Sequence, residues 1–450
     1  MVKLYLPGRL AQPLRQVCQC YAPFCVVISV VYYDTLMAAT LSQAPDLFAQ
    51  PTYLPRVTRR DGRAIEEALA GPTLFDSGVK LDAAVVEATY AAEDSPLLKR
   101  LRESGVPQLI DPQTLRFTGE RFLTVAEFER VPYRPARPIS ADSFTPSHAD
   151  ALAHEVMLFE QEAGASWYLA AALPYYDQDQ QSWLRHNDRL LAASCSANGG
   201  TDVDRRPLIA QVAPGRKLLA QPELIINRLL DYPVSAVYVQ PLALDPVKNS
   251  IEKLVQYVDF LRAITDAGLP VIASRVGAFG LVLNALGVAA FDSGLAQAEA
   301  CNLASLNRPP SKRELEGLAK RGGGDRRIYL ESLKTTLTGR HAAAILENRT
   351  LRSRVACTLG CCKHRGFENL AERRRQHHLW VRDHEVKLLR GSPTEGMRID
   401  LVYEQLRTAR EVGAVVSRTL KAHAVEAPSF EHIDRWIAVL ARETTLSAVA

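Results

Sequence analysis

Short apolar runs alternate with longer amphipathic runs through the middle of the chain. Runs at 84–89, 106–111, 166–173, 207–212, 235–241, 270–274 and 287–292 are brief and apolar on nearly every position. Parallel strands buried on both faces have this look. Between them lie stretches with helical periodicity at 95–104, 147–164, 179–194, 218–230, 250–268 and 277–286. The first is framed by Ser95 as N-cap, Pro96 at the first helical position and Gly105 just past its end, an arrangement that starts and stops a helix. Seven or eight strands, nearly all followed by a helix, predict repeated βα units. The count favours closure into a (β/α)8 TIM-like barrel over an open sheet. No G-x-G-x-x-G follows the first strand, which argues against a dinucleotide fold.

The rhythm has limits on both sides. Residues 1–72 read as an irregular N-terminal segment, with prolines scattered up to Pro55. The barrel is placed at 73–302, and 303–450 reads as a basic helical appendage bearing cysteines and histidines. Two helices, near 400–422 and 429–448, close the chain. The run at 25–41 is apolar, but it is 17 residues long and carries Asp34. A membrane helix needs about 20 residues, so this run is expected to be a buried strand or helix, and no membrane association is expected.

Composition adds little beyond a globular class: 47% hydrophobic and 23% charged. Charge distribution says more. Between Ser311 and His378 there are 16 Lys or Arg and 7 Asp or Glu, whereas the whole chain carries only +4. Such a segment suits a polyanion such as nucleic acid, or is a set of solvated helix faces. Of eight cysteines, Cys357, Cys361 and Cys362 cluster, as do Cys18, Cys20 and Cys25. Clustering points to metal or redox use in a reducing, cytoplasmic compartment rather than to a disulfide scaffold.

Active sites of barrels lie at the C-terminal ends of the strands. The polar residues there are Asp111, Asp177, Gln211, Gln240 and Asp292, and Asp76 sits in LFDSG just before the first clear strand. Any one of them can simply cap a helix. Asp292, which ends GVAAFD, is placed to act as nucleophile or general base, and paired carboxylates can divide such roles. In the appendage, three thiols with one imidazole would make a closed tetrahedral zinc site. The expected ligands are Cys357, Cys361, Cys362 and His378, with His377 and His384 as the other candidates. Buried or redox-active thiols are the competing reading.

The segment GAFGLVLNALGVAAFDSG resembles the last βα unit of the tRNA-guanine transglycosylase superfamily, which ends in a Phe-Asp pair. PLIAQV is similar to that family's Ile-Val-Gln strand, and AAALPYYDQDQQSW to the strand end that carries its base-recognising Asp. LFDSG resembles its Asp-Ser-Gly motif. The resemblance implies Asp292 as the nucleophile, Asp76 as the general base, and Gln211 and Asp177 on the base edge. It also implies a structural zinc after the last strand. The implied activity is base exchange on tRNA or DNA, with a purine or deazapurine base; a homodimer is compatible with it. The sequence departs from the family in having C-x-x-x-C-C for C-x-C-x-x-C, no Phe-Gln after Asp-Ser-Gly, and YVQPLAL where the family has a Gly-Gly strand. Two other readings stand beside it: a barrel enzyme on a small molecule, and a non-catalytic nucleic-acid-binding accessory protein.

Overall fold

The computed structural model describes residues 48–70, 79–93, 95–296, 300–309, 311–312, 327–363 and 368–449. The apolar run at 25–41 and Asp76 lie outside them. Among the described residues, no helix is long and apolar enough to cross a membrane.

The strands are β1 (Thr52–Val57), β2 (Ala84–Glu87), β3 (Gln108–Asp111), β4 (Tyr168–Leu169), β5 (Leu208–Val212), β6 (Val234–Val239), β7 (Ala243–Leu244), β8 (Val271–Ala273), β9 (Ala290–Gly294), β10 (Cys301–Asn302), β11 (Arg327–Leu330) and β12 (Thr335–Thr338). Eight of them form one all-parallel sheet in the order β3-β2-β1-β9-β8-β6-β5-β4. Its two edges meet. Leu109 bridges Trp167, and the backbone N–H of Ser166 donates to the carbonyl of Gln108 at 2.8 Å. The sheet is therefore a closed (β/α)8 barrel with a helical C-terminal region, as the alternation predicts.

The first strand corrects the domain boundary. β1 lies inside the segment expected to be irregular, so the barrel begins at Thr52 and not at residue 73. Pro55 disguises it, because a proline reads as a strand breaker. The strand tolerates Pro55 just before pairing with β2 begins, at Arg56 opposite Val85. Helix Pro96–Glu103 forms where expected, and Gly105 takes a φ of +66° just beyond it. The Ser95 hydroxyl, however, bonds the Tyr90 hydroxyl at 2.8 Å and does not cap the helix. No strand forms between residues 131 and 146.

The C-terminal region is less separate than the word appendage implies. Helix Arg374–Arg390 lies on β1 and on helix Gly62–Leu69, and Leu379, Val381, Val386 and Leu389 belong to the barrel's own apolar core. Arg390 donates to the carbonyl of Pro51 at 2.7 Å, and Arg375 pairs with Asp61 at 2.9 Å. Several arginines of this region thus face the protein and not solvent. The two long helices, Glu395–Ala422 and Glu431–Val449, pack on the barrel helices Phe279–Ala285 and Ile251–Asp266; Trp436 donates to the carbonyl of Pro246 at 2.9 Å.

One buried acid lies behind β4. Glu160 accepts from the backbone N–H of Leu169 at 3.0 Å, and its other oxygen has no partner. Burial pushes its carboxyl well above the usual range, so it folds in the neutral form. The unfolded chain ionises first, at about pH 4.5, so Glu160 costs stability increasingly as pH rises above that value. Glu160→Gln keeps the acceptor and removes the titration. Its melting temperature relative to wild type is expected to rise between pH 5 and pH 8; a flat or falling difference would refute the assignment.

Candidate functional site

Side chains alternate across a strand, so every second residue of each barrel strand points inward. At the C-terminal end this brings together Arg56 of β1, Glu87 of β2, Asp111 of β3, Tyr238 of β6, Asp292 of β9, and Ser274 and Arg275 just after β8. Arg56 is the hub. Its Nε and Nη2 donate to the two oxygens of Asp292 at 3.1 and 3.3 Å, a fork-to-fork pair. Its Nη1 donates to Asp111 at 2.8 Å and reaches Glu87 at 3.5 Å. Nη2 also donates to the Tyr238 hydroxyl, which in turn donates to Asp292 at 2.5 Å. The backbone N–H of Arg275 adds a fourth donor to Asp292 at 3.3 Å.

These charges are dry. Arg56 and Asp292 are 2% and 0% exposed. Burial works against the Arg56 cation, and Asp292, Tyr238, Asp111 and Glu87 outweigh it, so its pKa rises. Burial would also raise the Glu87 carboxyl, but the Arg275 and Arg56 guanidinium groups hold it at about 2. Burial and the neighbouring Asp292 push the Tyr238 phenol well up against the opposing Arg56, so it remains a donor.

The expected site residues fare differently. Asp292 is central, and Asp111, from the wider set of strand-end polar residues, shares Arg56 with it. Gln211 is buried beside Tyr238 in the register of β5 and β6, and both atoms of its amide lack a partner. Gln240 faces a cleft at the mouth. Asp177 is not in that cleft: its Oδ1 accepts from the backbone N–H of Lys217 at 2.9 Å and holds the short helix Arg216–Leu219. Arg56 and Tyr238 escaped sequence reasoning. The only available signal was a cation, and a phenol, inside runs otherwise apolar.

The mouth is mostly filled. The segment from Cys301 to Asn307 crosses it: β10 pairs antiparallel with β7, and Cys301 and Leu303 pack on Leu115, Ala172 and Ala213. Asn307 donates to the carbonyl of Leu115 at 3.1 Å. Among the described residues a cleft lies beside Asp111, lined also by Gln113, Leu115, Arg116, Gln240, Arg275 and Leu303, with free room of about 10 Å³. That is the room of one water.

A second centre lies on the far side of helix Arg374–Arg390. Cys357, Cys361, Cys362 and His377 bring one ligand atom each within 4.8 Å of all the others. Sulfur separations are 3.7 Å from Cys357 to Cys361 and 3.8 Å from Cys361 to Cys362. His377 Nδ1 lies 3.6 and 3.4 Å from the sulfurs of Cys361 and Cys362. A tetrahedral zinc with bonds of ~2.3 Å to sulfur and ~2.0 Å to nitrogen sets sulfurs about 3.8 Å apart, and sulfur and nitrogen about 3.5 Å apart. The residues therefore fit the metal. His377 Nε2 donates to the carbonyl of Tyr329 at 2.9 Å, which leaves Nδ1 with the lone pair, as metal-binding histidines require.

The histidine that joins the three cysteines is His377 and not the expected His378. Successive helix residues point about 100° apart, so only one of the two can face the sulfurs. His378 turns instead onto the Tyr329 ring, with centroids 5.3 Å apart, and burial and Arg382 keep it neutral. His384 is outside the cluster, and His364 lies outside the described residues.

No protein-family model matches the chain, and no curated protein matches it. Solved structures match it at low identity and low TM-score. A putative lyase/mutase from Burkholderia cenocepacia J2315 is 17% identical, covering 55% of this chain and 79% of that one, with a TM-score of 0.32. Deoxyribose phosphate aldolase from Aeropyrum pernix is 14% identical, covering 55% and 86%, with a TM-score of 0.29. Endonuclease IV from Thermus thermophilus is 13% identical, covering 60% and 97%, with a TM-score of 0.30. Likeness at this level transfers no chemistry.

Proposed function

We propose that this chain is a barrel enzyme acting on a small molecule at the C-terminal mouth, with Asp292 and Asp111 as its carboxylate pair. The observation that carries the reading is Arg56, which joins the two acids inside the barrel at 2.8 to 3.3 Å. A barrel interior filled for stability alone would be apolar, and a buried ion cluster of this size is a poor source of stability. Its cost is understandable where charge must be kept ready for a reaction. The cleft's small volume favours a compact substrate over an extruded nucleotide, which would need the segment from Cys301 to Asn307 to lift.

Base exchange is the second reading, and a specific observation favours it: the unpartnered Gln211 amide beside Tyr238, close to Asp292. A flipped base needs amide partners of this kind. The cysteine centre, which we assign to structural zinc, is consistent with either reading. In the second, nucleic acid would be the partner of the basic segment.

One experiment separates them. A small-molecule extract and a labelled guanine-plus-tRNA mixture are each incubated with wild type, Asp292→Asn and Asp111→Asn, with melting curves to check folding. Consumption of a metabolite by wild type, reduced at least about 100-fold in folded Asp292→Asn, is expected. Label entering tRNA would support base exchange instead. Turnover undiminished in Asp292→Asn would sink both.

A further inference from the structure

The cleft beside Asp111 contains a cation that the protein does not pair. Arg116 ends the turn Thr114–Arg116 and lines the cleft. Among the described residues its guanidinium makes neither an ion pair nor a hydrogen bond; it lies over the Phe128 ring, 5.0 Å from the centroid. The other charges at the mouth are engaged. Asp292 and Asp111 are taken by Arg56, and Glu87 by Arg275 and Arg56. Burial lowers the pKa of Arg116, and distant Glu87 only partly restores it. Arg116 is half-buried, and a cation drawn from water without a partner is costly.

Three further observations converge on the same cleft. Arg275, on its rim, leaves its Nε unpartnered. Gln240, 3% exposed, leaves its side-chain oxygen unpartnered there. Gln113 and Arg275 both adopt a φ of +57°, a left-handed conformation that non-glycine residues take at a cost. Such strain gathers at ligand sites. All these residues line one space whose free room matches a single oxygen atom.

We propose that Arg116, with Arg275, binds one oxyanion of the substrate, of the phosphate or carboxylate class. The oxygen enters where one water fits, and the oxyanion supplies the counter-charge that no acid among the described residues gives Arg116. Gln240 accepts from a hydroxyl on the same ligand. This deepens the small-molecule reading and rests on it for the identity of the ligand as substrate; binding itself is read without turnover.

The test uses the full chain and inorganic phosphate, with acetate and chloride at matched ionic strength. Wild type is expected to melt about 2–4 °C higher with phosphate or acetate than with chloride. Whichever anion gives the larger shift names the class. The shift should vanish in Arg116→Met and return in part in Arg116→Lys. Because Arg116 has no partner to lose, Arg116→Met should melt in chloride at or above wild type, and Arg116→Gln serves if it does not fold. No shift in wild type, or an equal shift in Arg116→Met or Arg116→Gln, overturns the proposal. Inactivity of Asp292→Asn bears on the carboxylate pair alone.

Discussion

A chain carrying Cys361→Ser and Cys362→Ser is expected to purify without zinc and to melt on the order of 10 °C below wild type. Wild type should hold about one zinc per chain by elemental analysis and should lose the same stability to a strong chelator. The size of the effect follows from what the metal would hold together. Zinc would tie Cys357 and the short helix Gly360–Lys363 to His377 on helix Arg374–Arg390. His377 fixes Tyr329 on β11 through its carbonyl. The Tyr329 hydroxyl donates to Glu385 at 2.9 Å, where Lys334 and Arg382 also converge. The Arg382 guanidinium lies over the rings of Tyr329 and Phe291, and Phe291 adjoins Asp292 on β9. Losing the metal therefore frees the hairpin and loosens the helix that covers β1. Without a cation the sulfurs also compete for protons: hydrogen bonds from Cys361 and Cys362 pull the Cys357 thiol down, and Cys357 pushes Cys362 up to about 12. Three thiolates side by side need a cation. Metal-free wild-type protein, prepared under reduction and melting as high as the metal-treated sample, would remove this assignment.

Arg56→Met is expected to destabilise the chain by ~3–5 kcal/mol, the cost of leaving buried charges without their partner. Asp292 would keep two of its four donors, the Tyr238 hydroxyl and the Arg275 N–H, and Asp111 would lose the cation that pairs with it. The test is denaturant unfolding, with the triple variant Arg56→Met, Asp111→Asn, Asp292→Asn beside it. Neutralising all three should recover much of the loss, since a matched neutral set is easier to bury than an orphaned acid. A single variant as stable as wild type would show that the network is not closed as described. Acid adds a second readout. Glu87 is held at about 2, below its ordinary 4.5. A depressed carboxylate contributes stability that is fully present above about pH 4.5 and is lost as pH falls toward 2. Removing Arg56 takes away one of the two cations that depress it most, so this acid-dependent loss should shrink in Arg56→Met.

Gly280 connects the packing of the wall to this network. A Cβ there would fall 2.1 Å from the Phe291 ring, so helix Phe279–Ala285 can press on β9 only because the residue is glycine. That pressure seats Phe291 outward, and by alternation Asp292 inward.

The barrel was legible in the chain because it depends on local regularities. A short run buried on both faces must be apolar throughout, and a helix on its outside must repeat every 3.6 residues. Those constraints act on neighbours in sequence, so the barrel strands from β2 to β9, the helices between them and the place of Asp292 at a strand's end could be read directly. The same reading missed β1, because Pro55 is a local signal for irregularity and only pairing with β9 overrides it. The three cysteines were visible as a cluster, yet the choice between His377 and His378 needed the rotation of helix Arg374–Arg390 against β11. Arg56 shows the limit best. Its partners lie 31, 55, 182 and 236 residues away, and they meet only because eight strands close into a ring. Local chemistry determined which segments would be strands and helices; closure of the barrel, a contact between residues distant in sequence, decided which charges face one another.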